Sequence, residues 1–253
     1  PEILKEKGRD IAKGLANSIS LGVGQFCTNP GMTFIIRSKV ADNFISSLKA
    51  SVENSVCGSM LSSGIQSAYL KGLTKTKDKE GIELVSQGNG DGTYLSVPCA
   101  IFKAPLEMFL ADATLSHENF GPSSIVFEAE SPSELAIAAK HLNGHLTATV
   151  FGSTADLENN LELLELLKNK VGRLIINDFP TGVEVCHSMV HGGPFPATTA
   201  LQSTSVGSNA INRFVRPVCY QGYPQQLLPD ELKDGNPLKL WRVVDGKLTQ
   251  RAI

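Results

Sequence analysis

The residues with the clearest chemical potential read as loop residues. Cys27 lies in the run Gly22-Val23-Gly24-Gln25-Phe26-Cys27-Thr28-Asn29-Pro30-Gly31. A thiol in a glycine-bracketed turn after a helix is well placed for exposure and for close approach of a ligand, and its thiolate is a strong nucleophile. Free cysteine is more commonly a small buried hydrophobe, and on spacing alone all five cysteines read that way. Cys57, Cys99, Cys186 and Cys219 have no comparable loop around them and are expected to be structural. The second feature is His117-Glu118-Asn119-Phe120-Gly121-Pro122, just before a strand-like run. A carboxylate at a strand entrance, followed by Gly-Pro, can point into a crevice; it can equally be a solvated loop glutamate. The third feature pairs Asn177-Asp178-Phe179-Pro180-Thr181-Gly182 with His191-Gly192-Gly193-Pro194-Phe195-Pro196. Both read as loops after a strand, where parallel α/β sheets place ligand contacts, and both also fit ordinary turn chemistry.

Other constellations carry less. His141-x-x-x-His145 and Cys186-His187-x-x-x-His191 have spacings that could gather metal ligands. The first pair straddles Asn143-Gly144, a turn, and no second cysteine pair completes a tetrahedral site, so no metal is expected. Gly121 stands where the second histidine of an H-E-x-x-H helix would be. The run Gly88-Asn89-Gly90-Asp91-Gly92 leads into an extended segment and lacks the G-x-G-x-x-G spacing, and there is no P-loop.

The elements that must position these residues follow from periodicity. Ile11, Leu15, Ala16 and Ile19 share one face of a helix over Glu2–Leu21, ended by Gly22 and Gly24. Strands are expected at Met32–Ile36, Ile82–Val85, Tyr94–Phe102, Ser124–Glu128, Leu146–Phe151 and Arg173–Ile176. Helices are expected at Ala41–Val52, Ser62–Leu73, Thr154–Asn169 and Ser205–Phe214. A further helix should run to His141, with Ser131 as N-cap and Glu134 in the capping-box position. Alternating strands and helices predict an α/β fold with a mostly parallel sheet flanked by helices. The chain should divide into a domain over 1–204 and a tail over 205–253, apolar in places but without a core of its own.

Composition bounds the rest. With 253 residues, 42% hydrophobic and 19% charged, the chain can bury a sizeable core. A net charge of −2 argues against a broad nucleic-acid footprint. The apolar runs are far shorter than the roughly 20 residues that span a bilayer. Five scattered cysteines without a C-x-x-C pair suit a reduced, cytoplasmic setting.

Taken together, the three features resemble one family. Gly24-Gln25-Phe26-Cys27-Thr28-Asn29-Pro30-Gly31 resembles the nucleophile segment of the aldehyde dehydrogenase superfamily, and Glu118-Asn119-Phe120-Gly121-Pro122 matches its E-x-F-G-P motif. Asn177 and Gly193-Pro194-Phe195 match later landmarks less strictly. His191–Thr199 and the run Arg213–Gln221 look like one branch, the α-ketoglutarate semialdehyde (2,5-dioxopentanoate) dehydrogenases. The resemblance covers essentially the whole chain. It implies the family's catalytic domain, followed by a tail that would pack on the cofactor domain or a partner subunit. Cys27 would attack an aldehyde to form a thiohemiacetal, hydride would pass to NAD+ or NADP+, and water would hydrolyse the resulting thioester. Glu118 would hold the hydroxyls of the nicotinamide ribose, Phe120 would pack beside that ring, and Phe26 and Asn29 would line the substrate channel. Family members are about twice this length, so the cofactor domain that binds most of the NAD or NADP, the general-base glutamate and an oxyanion asparagine are expected upstream of Pro1. The parent would be a homo-oligomer acting on a small-molecule aldehyde, with no nucleic-acid or membrane partner, and this chain alone would be inactive. Two alternatives remain: a non-catalytic assembly fragment, and a cofactor-free cysteine esterase pairing Cys27 with His187 or His191.

Overall fold

Helix α1 (Glu2–Ser20) buries Ile3, Ile11, Ala12, Leu15, Ala16 and Ile19 in a computed structural model that describes residues 2–253. Those positions recur every three to four residues, so one stripe faces inward. The stripe packs on α2 (Lys39–Glu53), which contributes Ala41, Phe44, Ile45, Leu48 and Val52. The Ser38 hydroxyl caps α2 by accepting from the Ala41 N–H.

These helices cover one face of a four-stranded sheet ordered β1-β6-β5-β3. Its strands are β1 (Met32–Ile36), β6 (Ser123–Ala129), β5 (Ala100–Pro105) and β3 (Glu83–Gln87). β1 and β5 both run parallel to β6, while β3 is antiparallel at the edge. Successive side chains alternate between faces. Ile35, Ile101 and Val126 therefore join the α1–α2 core. Phe34 and Phe127 point the other way, and with Phe109 they form a triangle of rings whose centroids lie 5.1–5.4 Å apart. That second core is closed by α4 (Leu106–Ala111) and α5 (Pro132–His141). A short pair, β2 (Val56–Cys57) with β4 (Asn89–Gly90), and a parallel pair, β7 (His145–Val150) with β8 (Val171–Ile176), complete the strands of this region. Helix α3 (Ser63–Lys77) covers a third cluster of Met60, Tyr69 and Val97. The architecture is α/β with parallel pairing dominant, as the alternation predicts.

Local differences have local causes. The extended run expected from Tyr94 starts as strand only at Ala100; Tyr94 and Leu95 lie in a turn in which the Ser96 N–H donates to the Thr93 carbonyl at 3.1 Å. The helix expected over Thr154–Asn169 is two, α6 (Thr154–Glu158) and α7 (Leu161–Lys168). At the break the Asn160 amide donates to the Asp156 carbonyl at 2.7 Å, competing with the helical ladder. Ser131 caps α5 as expected, but the Glu134 carboxylate accepts from the Glu130 N–H rather than closing the box on Ser131. Helix α4 follows Pro105 and spans six residues, too few to show a period. The helix expected over Ser205–Phe214 shrinks to a 3-10 segment, Ser208–Arg213.

The chain divides into two units, one ending at Arg213 and the other Phe214–Ile253. In the second unit no apolar residue is buried. Its order comes from polar groups. The buried Asn236 amide donates to the Leu240 and Gln250 carbonyls at 2.9 and 2.8 Å, while its oxygen accepts from the Leu240 N–H. The Arg242 guanidinium donates to the carbonyls of Lys233, Asp234 and Arg251. A hairpin not anticipated from the sequence joins β9 (Arg242–Val244) to β10 (Lys247–Thr249). Asp245 and Gly246 turn it with φ of +49° and +76°, the left-handed pair that tight hairpins require.

Candidate active site

After Ser20 the chain leaves α1 through a left-handed turn, with φ of +57°, +58° and +66° at Gly22, Val23 and Gly24. A Cβ on Gly22 would collide with the Phe26 ring. A Cβ on Gly24 would collide with the backbone of Gly121 and Pro122. The glycines therefore let the Cys27 loop lie directly against the Glu118–Pro122 loop. Asn29 locks this approach: its amide nitrogen faces the carbonyls of Ile19, Gly24 and Gly121 at 3.3, 2.8 and 3.1 Å. From the other side, the Tyr69 ring fills the space a side chain at Gly121 would need, at φ +156°. The Tyr69 hydroxyl lies 2.9 and 3.0 Å from the Pro98 and Pro122 carbonyls. Burial pushes its phenol pKa well above the ordinary value.

Cys27 emerges from this turn exposed. Its backbone N–H donates no hydrogen bond among the described residues. Cys27 shares a cavity of about 930 Å³ with Glu118, Phe120, His117 and His145. Both motif loops precede their strands, β1 and β6, and Asn143-Gly144 precedes β7. The cavity thus opens at the amino ends of parallel strands, not at the carboxyl ends where such sheets ordinarily bind ligands.

The third feature is drawn in by side-chain bonds. The buried Thr28 hydroxyl donates to the Pro180 carbonyl at 2.9 Å. Arg173, on β8, donates to the Pro180 and Gly182 carbonyls. Asn177, at φ +56°, pairs both amide atoms with the Gly152 backbone at 2.9 Å and so ties the end of β8 to the end of β7. The His191–Pro196 loop lies over the starts of the same two strands: a Cβ on Gly144 would strike Pro194, and one on Gly172 would strike Gly192. His191 is fixed through its backbone. Its N–H donates to the Thr204 hydroxyl at 2.7 Å, and its carbonyl accepts from Ser205. The buried ring then reaches Cys27, with Nε2 3.2 Å from Sγ. Burial and, secondarily, the Arg173 charge hold the His191 pKa below its usual value.

The sequence-predicted residues fare differently. Cys27, Glu118 and Phe120 come together around the cavity. Asn29 stands in its wall, but its amide nitrogen is engaged with backbone carbonyls. Phe26 stacks over Gly22, and the cavity lining does not include it. His187 is drawn away to the Ser208 hydroxyl at 2.7 Å. Of the cysteines expected to be structural, Cys57 and Cys99 are buried, whereas Cys186 is half-buried and Cys219 is exposed. The sequence held no signal for Arg173 or Tyr69 beyond their residue types. Among the described residues no group of three or more His, Cys, Asp or Glu side chains is gathered to hold a metal, and no helix is long and apolar enough to cross a membrane.

Comparison with known proteins bears on the family and the fold. Residues 8–203 match the model of the aldehyde dehydrogenase family. An alpha-ketoglutaric semialdehyde dehydrogenase of Acinetobacter baylyi is 42% identical over 99% of this chain and 48% of its own length. Alpha-ketoglutaric semialdehyde dehydrogenase 2 of Azospirillum brasilense is also 42% identical, over 98% of this chain and 47% of its own. The chain thus spans about half the length of these relatives. Among solved structures, proline utilization A of Bdellovibrio bacteriovorus superposes with a TM-score of 0.70 at 20% identity, covering 83% of this chain and 22% of that one. The delta-pyrroline-5-carboxylate dehydrogenase of Mycobacterium tuberculosis superposes with a TM-score of 0.66 at 17% identity, covering 86% and 43%. These two likenesses speak to the fold. On the strength of the family match and of relatives 42% identical along nearly its whole length, the chain belongs to the aldehyde dehydrogenase family.

Proposed function

We propose that this chain is the thiol-bearing catalytic part of an NAD(P)+-dependent aldehyde dehydrogenase whose substrate is α-ketoglutarate semialdehyde. The observation that carries this reading is the juxtaposition of Cys27 with Glu118 and Phe120 in one cavity, held by the Gly24–Gly121 contact and the Asn29 amide. Cys27 Sγ is the atom that bonds the aldehyde carbon. Its free backbone N–H is positioned in the same residue to donate to the oxygen that becomes negative; one such donor contributes about 10²–10³ in rate. Asn29 acts here by holding the two loops together rather than by touching substrate.

The residues present fit a dinucleotide's nicotinamide end. Glu118 is an exposed carboxylate that can accept hydrogen bonds from sugar hydroxyls, and Phe120, 38% exposed, offers an apolar surface to a flat ring. NAD(P)+, when bound, supplies the hydride acceptor. The substrate assignment follows the two relatives, whose names carry it. The tail, 205–253 as read from sequence and Phe214–Ile253 as the compact unit, is proposed to pack on a cofactor domain or a neighbouring subunit in the cytoplasm.

The test measures NAD(P)H formed from α-ketoglutarate semialdehyde by two proteins. One is this chain; the other joins to it the amino-terminal half of the Acinetobacter baylyi relative. Activity only in the joined protein, abolished by Cys27→Ala, is expected. Activity in neither sinks the assignment. A second reading, cofactor-free ester hydrolysis, is favoured by the Cys27–His191 contact; turnover of an activated ester by this chain alone, lost in both Cys27→Ala and His191→Gln, would support it.

A further inference from the structure

His191 is the one basic side chain that touches the candidate nucleophile among the described residues. The contact joins residues 164 positions apart, at 3.2 Å between Sγ and Nε2. A thiol brings one proton and the ring one lone pair, so Nε2 can accept only in the tautomer that carries hydrogen on Nδ1. Nδ1 is buried and meets no acceptor among the described residues. Among the described residues no carboxylate bonds the ring at Nδ1, unlike the third member of a Ser-His-Asp triad. The Arg173 charge acts on the ring as a positive neighbour.

We propose that His191 is the catalytic proton acceptor of Cys27, taking the thiol proton as the nucleophile attacks. The proposal rests on the reading of Cys27 as nucleophile. In the step, the Sγ–H bond breaks, its proton moves to Nε2, and its electron pair forms the bond from sulfur to the carbonyl carbon. The carbonyl π pair moves onto oxygen, for which the imidazolium proton is then available. Nothing is oxidised or reduced. A buried ring beside Arg173, with no carboxylate partner among the described residues, disfavours a standing imidazolium.

This step can be watched in the present chain without cofactor or aldehyde. The readout is the rate at which iodoacetamide alkylates Cys27, followed by mass spectrometry of the Cys27 peptide. General-base assistance is worth on the order of 10²–10⁴ in full catalysis, and a fall of about tenfold or more is expected for His191→Gln. His191→Ala should slow alkylation similarly and be partly restored by free imidazole, which a merely structural role would not allow. Both variants should fold, because the loop is held by the His191 backbone and not by its ring; thermal melting checks this. His187→Gln, whose ring meets Ser208, should react like the parent. Alkylation of His191→Gln at the parent rate, or a loss in folded His191→Ala that imidazole does not relieve, overturns the proposal. Failure of the joined protein to form NAD(P)H would instead remove the dehydrogenase reading and leave this result standing.

Discussion

The two units of the chain are ordered by opposite means. The first, ending at Arg213, buries aromatic and aliphatic residues on both faces of its sheet. The second, Phe214–Ile253, leaves Phe214 83% and Trp241 65% exposed and buries only Asn236. A buried apolar side chain is stabilised by area removed from water. A buried amide contributes little net energy when satisfied but is costly when its partners are orphaned. The first unit therefore carries its own stability and can hold loops in strained left-handed turns. The second has a fixed path but few of the contacts that would make that path robust.

The largest expected effect tests the first half of this contrast. Phe127→Ala removes the fully buried ring between Phe34 and Phe109 and should cost about 3–5 kcal/mol in denaturant unfolding. A loss under 1 kcal/mol would mean the aromatic triangle is not what holds the sheet to α4 and α5. Next, Gly121→Ala sets a methyl against the Tyr69 ring at φ +156°. Overpacking should cost about 1–3 kcal/mol, and separation of the two motif loops should abolish substrate-dependent activity in the joined protein even where the variant stays folded.

In the second unit, Asn236→Ala orphans two carbonyls and one N–H, a loss of about 1–3 kcal/mol confined to that unit. Hydrogen exchange should speed at amides 233–253 and stay unchanged in β5 and β6. Speeding in both would break the division. Trp241→Ala should move stability by less than about 0.5 kcal/mol, as exposed positions do; a larger loss would reveal packing that the exposure does not show.

A pH effect separates the units in another way. Burial, and after it the Lys170 charge, holds His145 below its ordinary pKa of 6.5, and His191 is held down by burial and Arg173. For a histidine whose folded pKa is depressed, the unfolded chain binds protons first as pH falls. Stability is full above about pH 6.5 and declines as pH drops from there toward the folded value. Both residues lie in the first unit, so its unfolding should soften below pH 6.5, and His145→Gln should flatten part of that slope. An unchanged slope would exonerate His145.

Much of the scaffold was legible because its signals are local. Strand β1 over Met32–Ile36 and helices α1, α2 and α5 follow from period and capping within a few residues. The short α4, the break at Asn159–Asn160 and the Asp245–Gly246 hairpin were not read, since six-residue helices and three-residue strands carry too little pattern to stand out. Within the candidate site, Cys27, Glu118 and Phe120 were named from their motifs. Asn29 was read as a substrate contact; that its amide nitrogen also clamps the two loops was not legible, because residue type does not say which way an amide faces.

What the sequence determined by itself was the inventory: a thiol between glycines, a Glu-x-Phe-Gly-Pro loop, and the alternation that makes an α/β sheet. Tertiary structure alone decided which of these meet. Glycines at 24 and 121 permit backbone contact only because the parallel register of β1 on β6 brings their loops to one edge. His191 reaches Cys27 across 164 residues only because the starts of β7 and β8 carry its loop there. Local periodicity is set by neighbours within a turn or two of chain. A hydrogen bond between distant loops is set by the packing of every element between them, and no stretch of sequence encodes it alone.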